Sequence, residues 1–434
     1  MERNPKILII TYYWPPAGGI AVKRWLSLAN EFAQARAEVH VLTLEPKSAE
    51  YSSIDADLLT TVDERIHIHR VRAWNPFRIT KRLFKKHIPP QGFSSNNGED
   101  ESVNLLTRLR SHLFIPDPRK TWNARAIKKA IEIIDAHSIE AMITTSPPHS
   151  VQLIGRKVAK KRSIRWIADF RDPWTDIFYY NQLGHSAVSN AIDESLELKV
   201  LSEADAITTV SWGFKDLFAR KVPGRNPNDF FVIPNGIDRA LSAWKEGGAS
   251  EIFRMVYTGM LTDLYEIEPF LKAVKAHNSR KRMPQIEFDF FGSVPDAYRN
   301  TLEKEFGFVH FHGNRPMQEI PQIQDTADGL FLAGPKDYNA GHIPGKLFEY
   351  LGAARPIFYL GDFASDVSRI LDETEAGTLF DRNDPNNFIE LLQEQVDKGP
   401  QTVDGVQRGA LLSDYLRSNQ AKVFLDIIHG GAPK

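Results

Sequence analysis

Gly345-Lys346-Leu347-Phe348-Glu349-Tyr350-Leu351-Gly352-Ala353-Ala354-Arg355-Pro356 follows an apolar run, Gly329-Leu330-Phe331-Leu332-Ala333, and a loop from Gly334 to Pro344. A second apolar run, Ile357-Phe358-Tyr359-Leu360, comes directly after it. That order reads as strand, loop, short helix, strand, which is a βαβ unit. Lys346 and Glu349 are three apart and share one helix face near the N-terminus, while Leu347, Phe348 and Leu351 turn to the core. Free N–H groups and the helix dipole make such an N-terminus attractive to anions. Lys346 adds a full positive charge for a phosphate, and Glu349 can accept hydrogen bonds from sugar hydroxyls. The pair suits a sugar nucleotide. The plainer alternative is a solvated Lys–Glu pair on a surface helix.

Away from that segment the chain repeats the α/β pattern. Lys6-Ile7-Leu8-Ile9-Ile10 is a nearly continuous apolar run, as a buried parallel strand requires. The loop Tyr12-Tyr13-Trp14-Pro15-Pro16-Ala17-Gly18-Gly19 leads into helical spacing at Val22, Trp25, Leu26, Ala29 and Phe32, and then to the strand Val39–Thr43. Gly18 and Gly19 fall where a backbone must approach something closely, without the full G-x-G-x-x-G pattern of a dinucleotide site. Ala141–Thr145 ends in Ser146-Pro147-Pro148-His149-Ser150, and Arg165–Phe170 ends in Arg171-Asp172-Pro173-Trp174-Thr175-Asp176. Polar groups at strand C-termini stand where open α/β sheets bind ligands. A second α/β series starts at Met255-Val256-Tyr257-Thr258-Gly259 and continues through Ile286–Gly292 and Val309–Gly313.

Together these segments resemble the GT-B fold glycosyltransferases of the family 4 type, over nearly the whole chain. The stretch from Pro344 resembles that family's donor-binding signature "P-S-K-x-x-E-Y-L-A-A-G-x-P", with Gly345 replacing Ser and Gly352-Ala353-Ala354 replacing Ala-Ala-Gly. The "T-S-P-P-H-S" and "D-F-R-D-P-W" segments resemble a bacterial group within it, and Pro234-Asn235-Gly236-Ile237-Asp238 resembles the turn before the crossing to the second domain.

The resemblance implies an α/β chain of two Rossmann-like domains facing across a cleft, with a C-terminal helix crossing back to the first. The expected boundaries are 1–240 for the acceptor side, 251–412 for the donor nucleotide, and 413–434 for the returning helix. It also implies donor contacts from Gly18, Gly19, Gly259, Gly345, Lys346 and Glu349, with His342 beside them. Asp172, His149 and Arg171 are the expected catalytic, acceptor-side residues, His149 orienting a hydroxyl or contacting a phosphate. The partners are a nucleotide-sugar donor, which is a substrate and no cofactor, and a glycan or polyprenyl-linked acceptor in surface polysaccharide synthesis. No metal is expected, because Asp55-Ala56-Asp57 lies in a polar surface stretch, and retention of anomeric configuration follows by analogy. Two family features are missing. No basic residue follows Gly259 as far as Glu268, and Gly341 stands where a first Glu belongs. Two other readings therefore remain open: a non-catalytic GT-B protein binding a glycan or protein, and a sugar-nucleotide epimerase.

Composition narrows the field. A chain of 434 residues with 42% hydrophobic and 25% charged residues holds two full cores. A net charge of −1 gives no general attraction to nucleic acid, and no nucleic-acid partner is expected. The lack of cysteine excludes disulfides and thiolate chemistry. No run approaches the roughly 18 apolar residues of a spanning helix, and a cytoplasmic protein is the simplest expectation. Residues 74–93 mix bulky apolar and basic side chains. They read either as a peripheral contact with anionic lipid at the inner membrane face, or as an inserted helix with a solvated basic face.

Overall fold

The computed structural model describes residues 4–49, 51, 53–73, 114–178, 180–239, 241, 251–280, 284–336, 341–398 and 405–431. The stretch 74–93 proposed for membrane contact lies outside them. Two compact units divide the chain, one of residues 1–234 with 420–434, the other of 235–419. The returning segment thus starts at Gln420 and not at 413, because Ile237 and Asp238 hold the preceding residues. Ile237 bridges Leu416, and Arg417 forks onto Asp238 at 2.7 and 3.0 Å. The continuous helix expected from Ser413 is split accordingly into a 3-10 turn, Ser413–Tyr415, and a helix, Arg417–Ile428.

Among the described residues the first unit contains seven parallel strands: β1 (Lys6–Ile10), β2 (Glu38–Leu44), β3 (His67–Val71), β4 (Ala141–Ser146), β5 (Arg165–Phe170), β6 (Ala206–Thr209) and β7 (Phe230–Val232). Their order is β3-β2-β1-β4-β5-β6-β7. Side chains alternate between two cores. Leu8 and Ile10 enter one, with Trp122, Met142 and Phe170, while Ile7 and Ile9 enter the other, with Trp25 and Phe32. Burial on both faces explains the unbroken apolar run in β1. The second core also takes Ala421, Phe424 and Ile427 of the last helix, Phe424 packing on Trp25 with ring centroids 5.4 Å apart. Side chains of that size contribute about 1.5–3 kcal/mol each on burial.

The second unit has six parallel strands among the described residues: β8 (Ile252–Thr258), β9 (Gln285–Phe291), β10 (Val309–Gly313), β11 (Gly329–Ala333), β12 (Ile357–Gly361) and β13 (Gly377–Asp381). They run in the order β10-β9-β8-β11-β12-β13. In both sheets the order reverses once, between β1 and β4 and between β8 and β11. Ligands of doubly wound sheets bind beyond the strand ends at such a reversal. The loops there are Tyr12–Gly19 and Pro147–His149 in the first unit, and, among the described residues of the second, Gly259 onward with Gly334–Lys336 and Gly341–Gly345.

Candidate functional site

At the reversal in the second unit, three predicted residues meet. Gly259 ends β8 with φ +117°, and a Cβ there would come within 2.5 Å of Lys346 Cε. Gly292 ends β9 with φ +143°, and a side chain there would strike the Gly259 backbone. Both turns favour glycine for their positive φ, and at Gly292 the Gly259 backbone leaves no space for a side chain either. Gly259 N–H donates to Phe291 O at 2.7 Å, which fixes one turn on the other. Lys346 opens the helix Lys346–Ala353 behind Gly345, which carries no capping side chain. The N–H groups of Leu347 and Phe348 already donate to Pro344 and Gly345 carbonyls at 3.0 and 3.2 Å. The first turn is therefore tighter than the expected row of vacant donors, and more of the positive character rests on Lys346.

Lys346 is half-buried, and its ammonium lies 3.9 Å from the centroid of the Tyr257 ring. It donates to the Tyr257 hydroxyl and to Met260 O at 3.3 Å. The Tyr257 hydroxyl itself donates to the same carbonyl at 2.6 Å. Burial lowers the Lys346 pKa to about 7, against a smaller opposing effect of the Glu349 charge. Glu349 Oε2 accepts from Gln324 Nε2 at 3.4 Å, and the same amide nitrogen donates to Thr258 Oγ1 at 3.1 Å. Gln324 Oε1 accepts from Arg239, which also forks onto Asp325 at 2.6 and 2.8 Å. Tyr350 braces the end of β8, its hydroxyl accepting from Thr258 N–H at 2.9 Å. The Lys–Glu pair is thus built into the strand ends and is no solvated surface pair. His342 is half-buried between the buried Gly341 and Ile343.

At the reversal in the first unit, His149 follows β4. Its ring stacks on Trp174 with centroids 5.1 Å apart and planes 12° apart. Burial, with the nearby Arg171 and Lys221 charges, pulls its pKa down to about 3. Its Nδ1 is buried with no hydrogen-bond partner among the described residues. A neutral imidazole of this kind offers a hydrogen bond but no charge, so of its two expected roles the hydroxyl contact fits the chemistry. Arg171 donates from Nη2 to Pro147 O at 3.1 Å and from its backbone N to Ser146 O at 3.2 Å, which ties the two loops together. The half-buried Asp172 carboxylate makes no hydrogen bond or ion pair with the described residues.

Residues that the sequence did not single out hold this loop in place. Trp174 Nε1 and the Tyr180 hydroxyl donate to Asp193 at 2.8 and 2.9 Å. Thr175 and Lys221 converge on the buried Glu197 at 2.5 and 2.6 Å. Asp193 and Glu197 are four apart in the helix Ala187–Glu203, a spacing that puts both on one face. That spacing was the available signal. Asp169 proves to be wholly buried architecture. It accepts from Trp25, Thr145 and Thr208 at 3.1, 2.8 and 2.9 Å, and stands 3.6 Å from the equally buried Arg24. Gly18 N–H donates to Ser53 O at 3.0 Å, and Gly19, at φ +105°, precedes the helix Ile20–Gln34. Nothing lies within 4 Å of where a Gly19 Cβ would stand, so that helix start opens onto free space.

Residues 17–241, just over half of the chain, match Glycosyltransferase Family 4. A probable glycosyltransferase WbjE of Pseudomonas aeruginosa is 24% identical over 162 residues, 37% of this chain. The match spans 40% of that relative's length. Solved structures are similar over 98% of the chain. They include TarM (11% identity, 99% of its chain, TM-score 0.61) and the apo lipopolysaccharide outer core galactosyltransferase WaaB (12%, 99%, 0.59). A third is Anabaena HepE in complex with UDP and glucose (13%, 100%, 0.57). At such identities the likeness is one of fold: two parallel α/β sheets of the GT-B kind.

Proposed function

The chain belongs to Glycosyltransferase Family 4, and from that premise we propose that it moves a sugar from a nucleotide-sugar donor to a glycan or polyprenyl-linked acceptor. The product would enter a surface polysaccharide. The observation that carries this reading is Lys346, held beside the Gly259 turn at the strand reversal of the second unit. In the transfer, the bond between the anomeric carbon and the diphosphate breaks and one to the acceptor oxygen forms. The main task is to stabilise charge on the departing nucleoside diphosphate. Lys346, swung from Tyr257 onto the phosphates, and the helix start behind Gly345 supply that charge without a metal. Asp55 and Asp57, the one Asp-x-Asp pair, belong to a surface stretch around the 3-10 helix Ala56–Thr61.

Gly259 lets the phosphates approach, Glu349 accepts sugar hydroxyls, and His342 lies alongside. On the first unit, Gly18 lets the loop close on Ser53 and Asp55, Gly19 leaves room beside it, neutral His149 orients the acceptor hydroxyl, Asp172 takes its proton, and Arg171 fixes the loop. Retention of anomeric configuration goes with the family reading. Among the described residues no helix is long and apolar enough to cross a membrane.

The test is release of nucleoside diphosphate from sugar nucleotides, with and without acceptor. Release only with acceptor supports transfer. Conversion of the sugar nucleotide without acceptor would indicate an epimerase, and no turnover with any donor a binding protein.

Donor affinity should also depend on pH. Free Lys346 loses its proton near pH 7, and a bound diphosphate raises its pKa, so binding above pH 7 takes up a proton. Calorimetric affinity should fall about tenfold per pH unit between 7 and 9. Proton uptake, from buffers of different ionisation enthalpy, should approach one per nucleotide near pH 8. An affinity flat from pH 7 to 9 would contradict this role.

A further inference from the structure

Three histidines from distant parts of the first unit converge away from the strand-end loops. His40 is the third residue of β2, His69 lies in the edge strand β3, and His137 closes the helix Asn123–His137. One ring nitrogen from each lies within 4.8 Å of the other two. His40 is wholly buried, and the other two are half-buried. His40 shares its sheet face with Leu42 and Leu44, whose core also holds Ala126, Ala130, Ile133 and Ile134 of that helix. A polar ring at that depth has a cost unless it is partnered.

We infer that His40, His69 and His137 form a structural site for a divalent late transition metal of the zinc class. Zinc–imidazole bonds of about 2.0–2.1 Å put tetrahedral ligand nitrogens about 3.4 Å apart. His40 Nδ1 and His69 Nε2 are already 3.0 Å apart, and the widest pair of the three is within 4.8 Å. Rotation of the half-buried His69 and His137 rings closes the difference, and water completes the set.

The surroundings prepare His40 as a ligand. Its Nε2 lies 3.1 Å from Glu38 Oε1, and Glu38 pairs with Lys6 at 3.0 Å. An Nε2–H donated to that carboxylate leaves the Nδ1 lone pair facing the other rings, the orientation that outer carboxylates impose on metal-binding histidines. His69 Nε2 then carries the proton shared with His40 Nδ1. On metal binding that proton returns to His69 Nδ1 through solvent, and all three rings stay neutral. Burial already favours the neutral ring in His40 and His69, which metal ligation requires. His137 also ends its helix, where the dipole favours a cation. The ion would pin β3, at the sheet edge, to β2 and to the helix that leads into β4.

The test uses the full, tag-free chain stripped of metal and titrated with zinc against a chromophoric chelator. The wild type should bind one equivalent and melt higher with zinc. His69→Asn and His137→Asn should each weaken binding at least about a hundredfold and lose the melting shift, while melting like the wild type without metal. Cobalt added to the wild type should give the visible bands of tetrahedral nitrogen coordination, which tests the site even if a variant misfolds. No stoichiometric binding by the wild type, or unchanged binding in both variants, would overturn the site. Because His137 lies ahead of β4, whereas the loops proposed for the reaction follow the C-terminal ends of the strands, EDTA should lower the melting temperature of the zinc-loaded protein without abolishing sugar transfer.

Discussion

Replacing Lys346 by Met should remove donor-dependent turnover and raise the melting temperature of the unliganded protein. The two effects share one cause. The ammonium sits against the Tyr257 ring and the Gly259 turn, with a hydroxyl and one carbonyl in place of water. That environment lowers its pKa to about 7, so the folded state carries the charge at a cost. Met keeps the length and apolar stem and removes the charge, which stabilises the resting protein. It also removes the cation that the departing diphosphate needs, a loss of about 10²–10³ in kcat by analogy with single charge-stabilising donors. Turnover and a melting curve on the same sample check both signs. A variant that loses turnover because it is less stable would not fit, since the account requires the opposite shift.

Replacing Asp169 by Ala should cost the first unit about 3–5 kcal/mol, the range for a buried ion pair stripped of one partner. Asp169 accepts three side-chain hydrogen bonds and stands 3.6 Å from the fully buried Arg24 guanidinium, which also donates to the Ile233 and Pro234 carbonyls, so its loss strips three donors of their acceptor and takes a carboxylate from a buried cation. Of the eight tryptophans only Trp244 lies outside the first unit, so tryptophan fluorescence in urea follows that unit. Its midpoint should fall sharply, while Asp169→Asn, which keeps an acceptor, should fall less. An unchanged midpoint would mean that Asp169 belongs to function and not to architecture.

Asp169 also marks where reading the sequence stops. Strands such as β1 and β11 were legible because burial on both faces demands unbroken apolar runs. The donor helix was legible because Lys346 and Glu349 are local, three residues apart. The "D-F-R-D-P-W" segment was visible as a motif, but only three-dimensional packing separates its first Asp, fixed by Arg24, Trp25, Thr145 and Thr208, from Asp172, which has no hydrogen-bond or ion-pair partner among the described residues. Arg24 itself sits inside a helix whose apolar spacing gave no reason to bury a cation. Met260 read as a missing positive charge, yet its carbonyl is what holds the Lys346 ammonium, and a backbone group leaves no mark in a sequence. The histidine cluster was hidden for a related reason. Its members come from β2, β3 and a helix far along the chain, with none of the short spacings that announce a metal site.

The measurement that bears most directly on the central claim is calorimetric titration of wild type and Lys346→Met with UDP, GDP, TDP and CMP, each with and without EDTA. One nucleoside diphosphate should bind the wild type with EDTA present and bind the variant at least about tenfold more weakly, a difference of about 1.4 kcal/mol. Equal affinity in both proteins, or binding to the wild type that EDTA abolishes, would contradict a metal-free diphosphate site built on Lys346.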